Sequence, residues 1–237
     1  MRTFLPLFLI VLTISCNNEL NSSQLLKESI AYHDPENNWT TFRGEFHITM
    51  EIPEQSNRES DLRIDLPADA FYVKAVRDTI TTEFDLKGSE CRITYNGSEN
   101  FSEEIATANR LSCERATMYK NYYTYLYGLP MKLKDPGTDI SPEIQTKEFK
   151  GKTYDVIEVK YDPEVGSDIW YFYFDPETHA MEIYQFYKTD DNGEMIPDSG
   201  EYIMLEDIAT VSGIKMPKVR TWYYNKDDKL LGADILQ

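Results

Sequence analysis

From Phe42 onward apolar and polar residues alternate. Phe42, Phe46, Ile48, Met50 and Ile52 fall on one side, and Arg43, Glu45, His47, Thr49 and Glu51 on the other. A period of two with one apolar side describes a half-buried β-strand. The pattern recurs in Leu62-Ile64-Leu66, in Ile80-Phe84-Leu86 with Glu83, Asp85 and Lys87 opposite, and in Cys91-Ile93-Tyr95, which runs into an Asn96-Gly97 turn. Four or five antiparallel strands therefore precede the middle of the chain. Beyond a Pro136-Gly137 turn the alternation returns in Asp155 to Tyr161, Ile169 to Phe174, Met181 to Tyr187, Glu201 to Thr210, Lys215 to Tyr224 and Leu230 to Leu236. Asp175-Pro176, Asn192-Gly193, Ser212-Gly213 and Lys226-Asp227-Asp228 supply the turns between them.

Helical spacing interrupts the strands twice. Ser22 or Ser23 is expected to N-cap a helix carrying Leu26 and Ile30 and ending near His33, with Pro35 just beyond. A short helix is expected over Glu103 to Asn109 and a longer one over Cys113 to Tyr127. The longer one has Met118, Tyr122 and Leu126 on one stripe and Ala116, Tyr119, Tyr123 and Tyr127 on another. Gly128 stands where a left-handed C′ residue belongs, and Pro130 follows. The layout is an α+β fold: one curved antiparallel sheet of about ten or eleven strands, with two or three helices. Residues 24–237 read as one domain, a size a β-rich chain commonly reaches as a single unit. An outer-membrane barrel does not fit, because Glu201 to Asp207 puts acid on both faces of a strand.

The first residues read differently. Arg2, an apolar run from Phe4 to Ile14 and the closing Ser15-Cys16 outline a secretory signal over residues 1–15. The run is too short to span a bilayer. A small residue before a Cys resembles the lipobox of bacterial lipoproteins, although Thr13 stands where Leu is usual. That resemblance implies acylation of Cys16 and a lipid anchor, with residues 16–23 as the lipidated Cys and a polar tether; the alternative is ordinary cleavage that leaves Cys16 a plain thiol. An exported chain also gives Cys91 and Cys113 an environment in which they can pair, with two free thiols as the alternative.

The whole chain of 237 residues carries 24 Lys and Arg against 41 Asp and Glu, a net charge of −17, or −18 once the segment holding Arg2 is removed. That balance excludes nucleic acid as a partner, since affinity for phosphate backbones comes from Lys and Arg displacing counterions. Motifs with chemistry are scarce. Gly151-Lys152-Thr153 ends like a phosphate loop, but Thr146 stands where the first glycine is needed, so the segment reads as a hairpin turn. His33, His47 and His179 are the only histidines, each in a setting that reads as solvated, so no metal site and no cofactor is expected. Asp190 to Glu194 lacks the ligand spacing of a calcium loop and reads as an Asn-Gly turn. No catalytic residue stands out.

Aromatic residues do stand out. Trp170 to Phe174 are five consecutive rings, so rings project from both faces of one strand, and Tyr184, Phe186, Tyr187, Trp222, Tyr223 and Tyr224 repeat the effect. Either one face packs the core while a helix covers the other, or a concave aromatic face holds an apolar guest.

Three stretches resemble a family of uncharacterised envelope lipoproteins of flavobacterial type. They are Trp39 to Gly44, the run Tyr125-Leu126-Tyr127-Gly128-Leu129-Pro130-Met131-Lys132-Leu133-Lys134-Asp135-Pro136-Gly137-Thr138, and Gly213 to Pro217 with Trp222 to Asp228. More remotely, the order helix, long strands, inserted helices, more strands is similar to that of LolA/LolB-type lipoprotein carriers. The resemblance implies a half-barrel whose helices pack on the concave side around an acyl-binding cavity; it is one of fold alone. Three functions follow, in order of preference. The first is a non-enzymatic lipoprotein of the outer membrane, facing the periplasm, that binds or carries a lipid or other amphiphile among Tyr122, Tyr123, Tyr127, Trp170 and Trp222. Met131, Lys132 and Lys134 would form its lid edge. The second is an interaction or structural lipoprotein without a pocket, whose protein partner the sequence does not name. The third is a hydrolase with an acidic site that no motif marks.

Overall fold

The computed structural model describes residues 20–237. The signal sequence expected over residues 1–15, Cys16 and the start of the tether lie outside the described residues. The first helix, α1 (Ser22–His33), is capped by Asn21, one residue ahead of the expected cap. The Asn21 side chain accepts from the Gln24 amide at 3.0 Å, and the Gln24 side chain accepts from the Asn21 amide at 3.1 Å, a reciprocal capping box. Ser22 and Ser23 are therefore helical rather than part of a tether.

His33, expected to be solvated, is buried. Its Nδ1 lies 2.9 Å from the Lys215 carbonyl and its Nε2 accepts the Met181 amide at 3.0 Å, so the helix end is pinned to two distant strands. Asp34 follows it into the interior, accepting from the Asn38 and Trp39 amides at 2.7 and 2.8 Å. Those bonds set a 3₁₀ turn, Asn38–Thr41, that delivers Trp39 to the core.

Five strands follow as a meander: β1 (Arg43–Glu51), β2 (Arg58–Asp65), β3 (Ala70–Arg77), β4 (Ile80–Lys87) and β5 (Glu90–Tyr95). Two helices, α2 (Glu103–Ala108) and α3 (Cys113–Gly128), and a 3₁₀ turn, Met131–Lys134, interrupt the sheet. It resumes with β6 (Thr138–Ile140), β7 (Gln145–Phe149), β8 (Lys152–Tyr161), β9 (Ile169–Phe174), β10 (Met181–Tyr187), β11 (Glu201–Val211), β12 (Ile214–Tyr224) and β13 (Leu230–Leu236). All 13 strands belong to one antiparallel sheet, in the order β5-β4-β3-β2-β1-β13-β12-β11-β10-β9-β8-β6, with β7 also on β8. The last strand pairs with the first, Ile48 opposite Leu236, which joins the two meanders; β5 at one end and β6 with β7 at the other leave the curved sheet unclosed.

Three of these strands, β3, β6 and β7, lie outside the ten alternating segments read from the sequence. β3 places Tyr72 among apolar residues of the opposite parity and so blurs the alternation. β6 and β7 are three and five residues long and largely polar. The Lys150-Gly151 pair joins β7 to β8 with φ of 50° and 82°, the primed turn that a two-residue hairpin favours.

The concave face carries two apolar clusters. Phe46, Ile48, Leu62, Ile64, Phe71 and Val73 form one, closed by Tyr123 and Tyr127 of α3. Ile157, Phe172, Phe174 and Ile203 form the other, closed by Leu25 and Leu26 of α1 and Leu126 of α3. Burial of each such side chain contributes about 1.5–3 kcal/mol.

Gly128 is not left-handed: α3 runs through it to a C-cap at Leu129. Its lack of a side chain serves packing instead, since a Cβ there would lie 2.3 Å from the Trp39 ring. The convex side of the aromatic strand is covered by the β7–β8 hairpin and not by a helix. Phe149 packs edge-on against Tyr202 at 5.1 Å and lies 5.5 Å from Tyr173, over a third cluster that includes Tyr154, Val156 and Ile183.

Candidate ligand cavity

Even-numbered residues of β1, β2, β12 and β13 face the concave side, as Phe46, Leu62, Met216 and Leu236 show. The same parity carries polar residues inward. Arg58 of β2 is opposite Met50 of β1, Met50 is opposite Asp234 of β13, and Asp234 is opposite Arg220 of β12, so four strands contribute one lateral row. Neighbours in such a row stand about 5 Å apart.

Arg220 is 1% exposed; its Nη2 donates to the Leu126 carbonyl at 3.2 Å and its guanidinium lies 4.3 Å from the centre of the Tyr127 ring. Arg58 Nη2 donates to the Tyr123 hydroxyl at 2.9 Å. The row therefore holds the second half of α3 against the sheet. Burial raises the Asp234 carboxyl above the usual carboxylate range, and Arg58 and Arg220 pull it back in part. Burial also pushes the Tyr123 phenol up to about 12, against the pull of Arg58.

Beside the row, at the flank of α3, is a cavity of about 210 Å³. Met50 and Asp234 form its floor, Ile52 and Trp222 its apolar sides, and Tyr122 and Glu201 its rim. Gly232 makes the close approach of β13 to β1 possible, for a Cβ there would lie 2.5 Å from the Glu51 carbonyl oxygen. Burial raises the Glu201 carboxyl, with Lys188 opposing. Tyr122 and Met118, one turn apart on α3, are each 38% exposed.

Of the residues expected at a ligand site, the cavity brings together Tyr122 and Trp222. Tyr123 and Tyr127 are buried behind it as core. Trp170 is stacked on Phe186 at 4.8 Å and packs against the second cluster, away from the cavity lining. Met131 is buried, Lys132 pairs with Asp135, and Lys134 lines a separate, more polar cleft of about 630 Å³ with Lys27, Leu26, Leu133 and Ile140. Cys91 and Cys113 are bonded, with Cα atoms 6.0 Å apart, tying β5 to the first residue of α3.

Arg58, Arg220 and Asp234 are absent from the sequence-derived site. A signal for them was present: Asp234 stands two residues before Leu236, and Arg58 two before Ser60 and four before Leu62, on the parity that faces the core. Among the described residues no group of three or more His, Cys, Asp or Glu residues is placed to hold a metal ion.

The chain belongs to a family of unknown function, DUF6503, whose model matches residues 2–236. No curated protein matches it. Among solved structures it is similar to a LolA superfamily protein from Nitrosomonas europaea, with 8% identity, a TM-score of 0.49, and coverage of 92% of this chain and 91% of that one. It is also similar to a DUF1329 family protein from Desulfovibrio piger, with 7% identity, a TM-score of 0.45, and coverage of 91% and 90%.

Proposed function

We propose that this protein binds and carries an apolar or amphiphilic ligand, part of whose chain occupies the cavity beside α3, and that it does so as a lipoprotein anchored through Cys16 in the outer membrane, facing the periplasm. The observation that carries the binding reading is the cavity itself: a largely apolar pocket at the flank of a helix, lined by the rings of Tyr122 and Trp222 together with Met50 and Ile52. Its volume is below the roughly 300–1,000 Å³ of a drug-sized site, so it suits a short length of a single chain rather than a whole lipid. Tyr122 and Trp222 offer rings that grip an alkyl chain and polar edges that stay near water.

Native mass spectrometry of the purified protein, followed by organic extraction, tests this reading. A stoichiometric single-chain amphiphile is the expected result. A bare protein that also fails to bind added decanol would overturn it. The anchor is tested separately: Cys16→Ser should move the protein from the membrane fraction to the soluble one.

A further inference from the structure

Met50 and Asp234 of the lateral row line the cavity, and Arg58 and Arg220 flank them in the row. Arg58 Nε, Arg220 Nε and Asp234 Oδ1 are buried and make no hydrogen bond. Arg220 and Asp234 are 1% and 3% exposed. Buried polar groups are nearly always paired, so neighbouring unpaired groups can take up a polar group of a ligand. Two of the three are donors. None of the ion pairs within 4.0 Å among the described residues joins Asp234 to either guanidinium. The row thus sets two fixed positive charges against one carboxylate, inside a chain whose net charge is −17.

We infer that this row is a recognition site for a carboxylate head group, so that the ligand of the cavity is an anionic single-chain amphiphile of the fatty-acid type; the inference rests on the cavity reading above. Guanidinium N–H groups match a carboxylate in geometry as well as in charge. Met50 supplies the route. It lies between Arg58 and Asp234 in the row, lines the cavity and is half-buried, and an unbranched thioether side chain can turn aside to admit the head group.

The cavity's own carboxylates, Asp234 and Glu201, together with Tyr122 and Trp222, are the elements that would instead draw an ammonium group. The row opposes this, because an ammonium at Asp234 would stand one strand from Arg220 and two from Arg58.

Calorimetric titration of the purified protein at pH 7.5 with three ten-carbon ligands separates these cases. Decanoate is expected to bind at least tenfold more tightly than decanol, and decyltrimethylammonium more weakly than either. Arg58→Gln should bring the ratio of decanoate to decanol affinity toward one. Asp234→Asn should raise that ratio severalfold, because it removes the row's own anion; a gain cannot be mistaken for misfolding. Equal binding of decanoate and decanol, or preference for the ammonium, would overturn the head-group assignment while leaving the cavity reading intact. Binding of none of the three would overturn both.

Discussion

His33 uses both ring nitrogens, Nδ1 toward the Lys215 carbonyl and Nε2 as acceptor for the Met181 amide, which requires the neutral ring with its proton on Nδ1. Burial lowers its pKa; the bond to Lys215 opposes this and the Lys215 charge adds to it. A histidine depressed in the folded state is protonated first in the unfolded one. Its contribution is therefore complete above about pH 6.5 and declines as the pH falls below that value. The stability difference between the native protein and His33→Gln, from urea unfolding, should shrink from pH 7.5 to 5.5; a constant difference would exclude this role. Gly128→Ala forces a Cβ into the Trp39 ring and should destabilise by about 1–3 kcal/mol, read from the same unfolding curves. Neither role could be seen locally. The partners of His33 are 182 and 148 residues away, and a glycine followed by Pro130 looks like a helix stop whether or not a ring presses on it.

Helix α3 displays what an element's own pattern can and cannot tell. Its two stripes were visible in the sequence. The stripe with Ala116, Tyr123 and Tyr127 became core, whereas in the other Leu126 is buried and Met118 and Tyr122 stay exposed, Tyr122 lining the cavity. The Cys91 bond fixes the start of this helix. Closing a loop with a sequence separation of 22 should stabilise the fold by roughly 3 kcal/mol; unfolding with and without reductant, with the Cys91→Ala/Cys113→Ala pair as control, measures it. On the opposite side of the sheet, Phe149→Ala should loosen the β7–β8 hairpin from Tyr173 and Tyr202 at a cost of about 1–3 kcal/mol. Faster amide exchange confined to that hairpin would identify local rather than global opening. The aromatic strand announced rings on both faces, but what covers the convex face depends on a hairpin that folds back over it.

For the molecule as a whole, an open sheet with helices on its concave side leaves a cavity where α3 does not fill the curve. A ligand that binds only the folded protein stabilises it by about 2.7 kcal/mol at one hundred times its Kd. Thermal unfolding with increasing decanoate should therefore move steadily upward, and an unmoved midpoint would count against a decanoate site in the fold. The excess of acid should keep duplex DNA unbound in mobility shifts even at 50 mM salt. Strand alternation, turn chemistry and helix spacing, each a property of a few adjacent residues, were enough to establish ten of the strands, the three helices and the single α+β sheet. The order of the strands, the union of β1 with β13, the burial of His33 and the row from Arg58 to Arg220 were decided only by the tertiary structure. Each joins residues far apart in the chain, and the sequence marks which face of a strand a residue occupies but not which strand lies beside it.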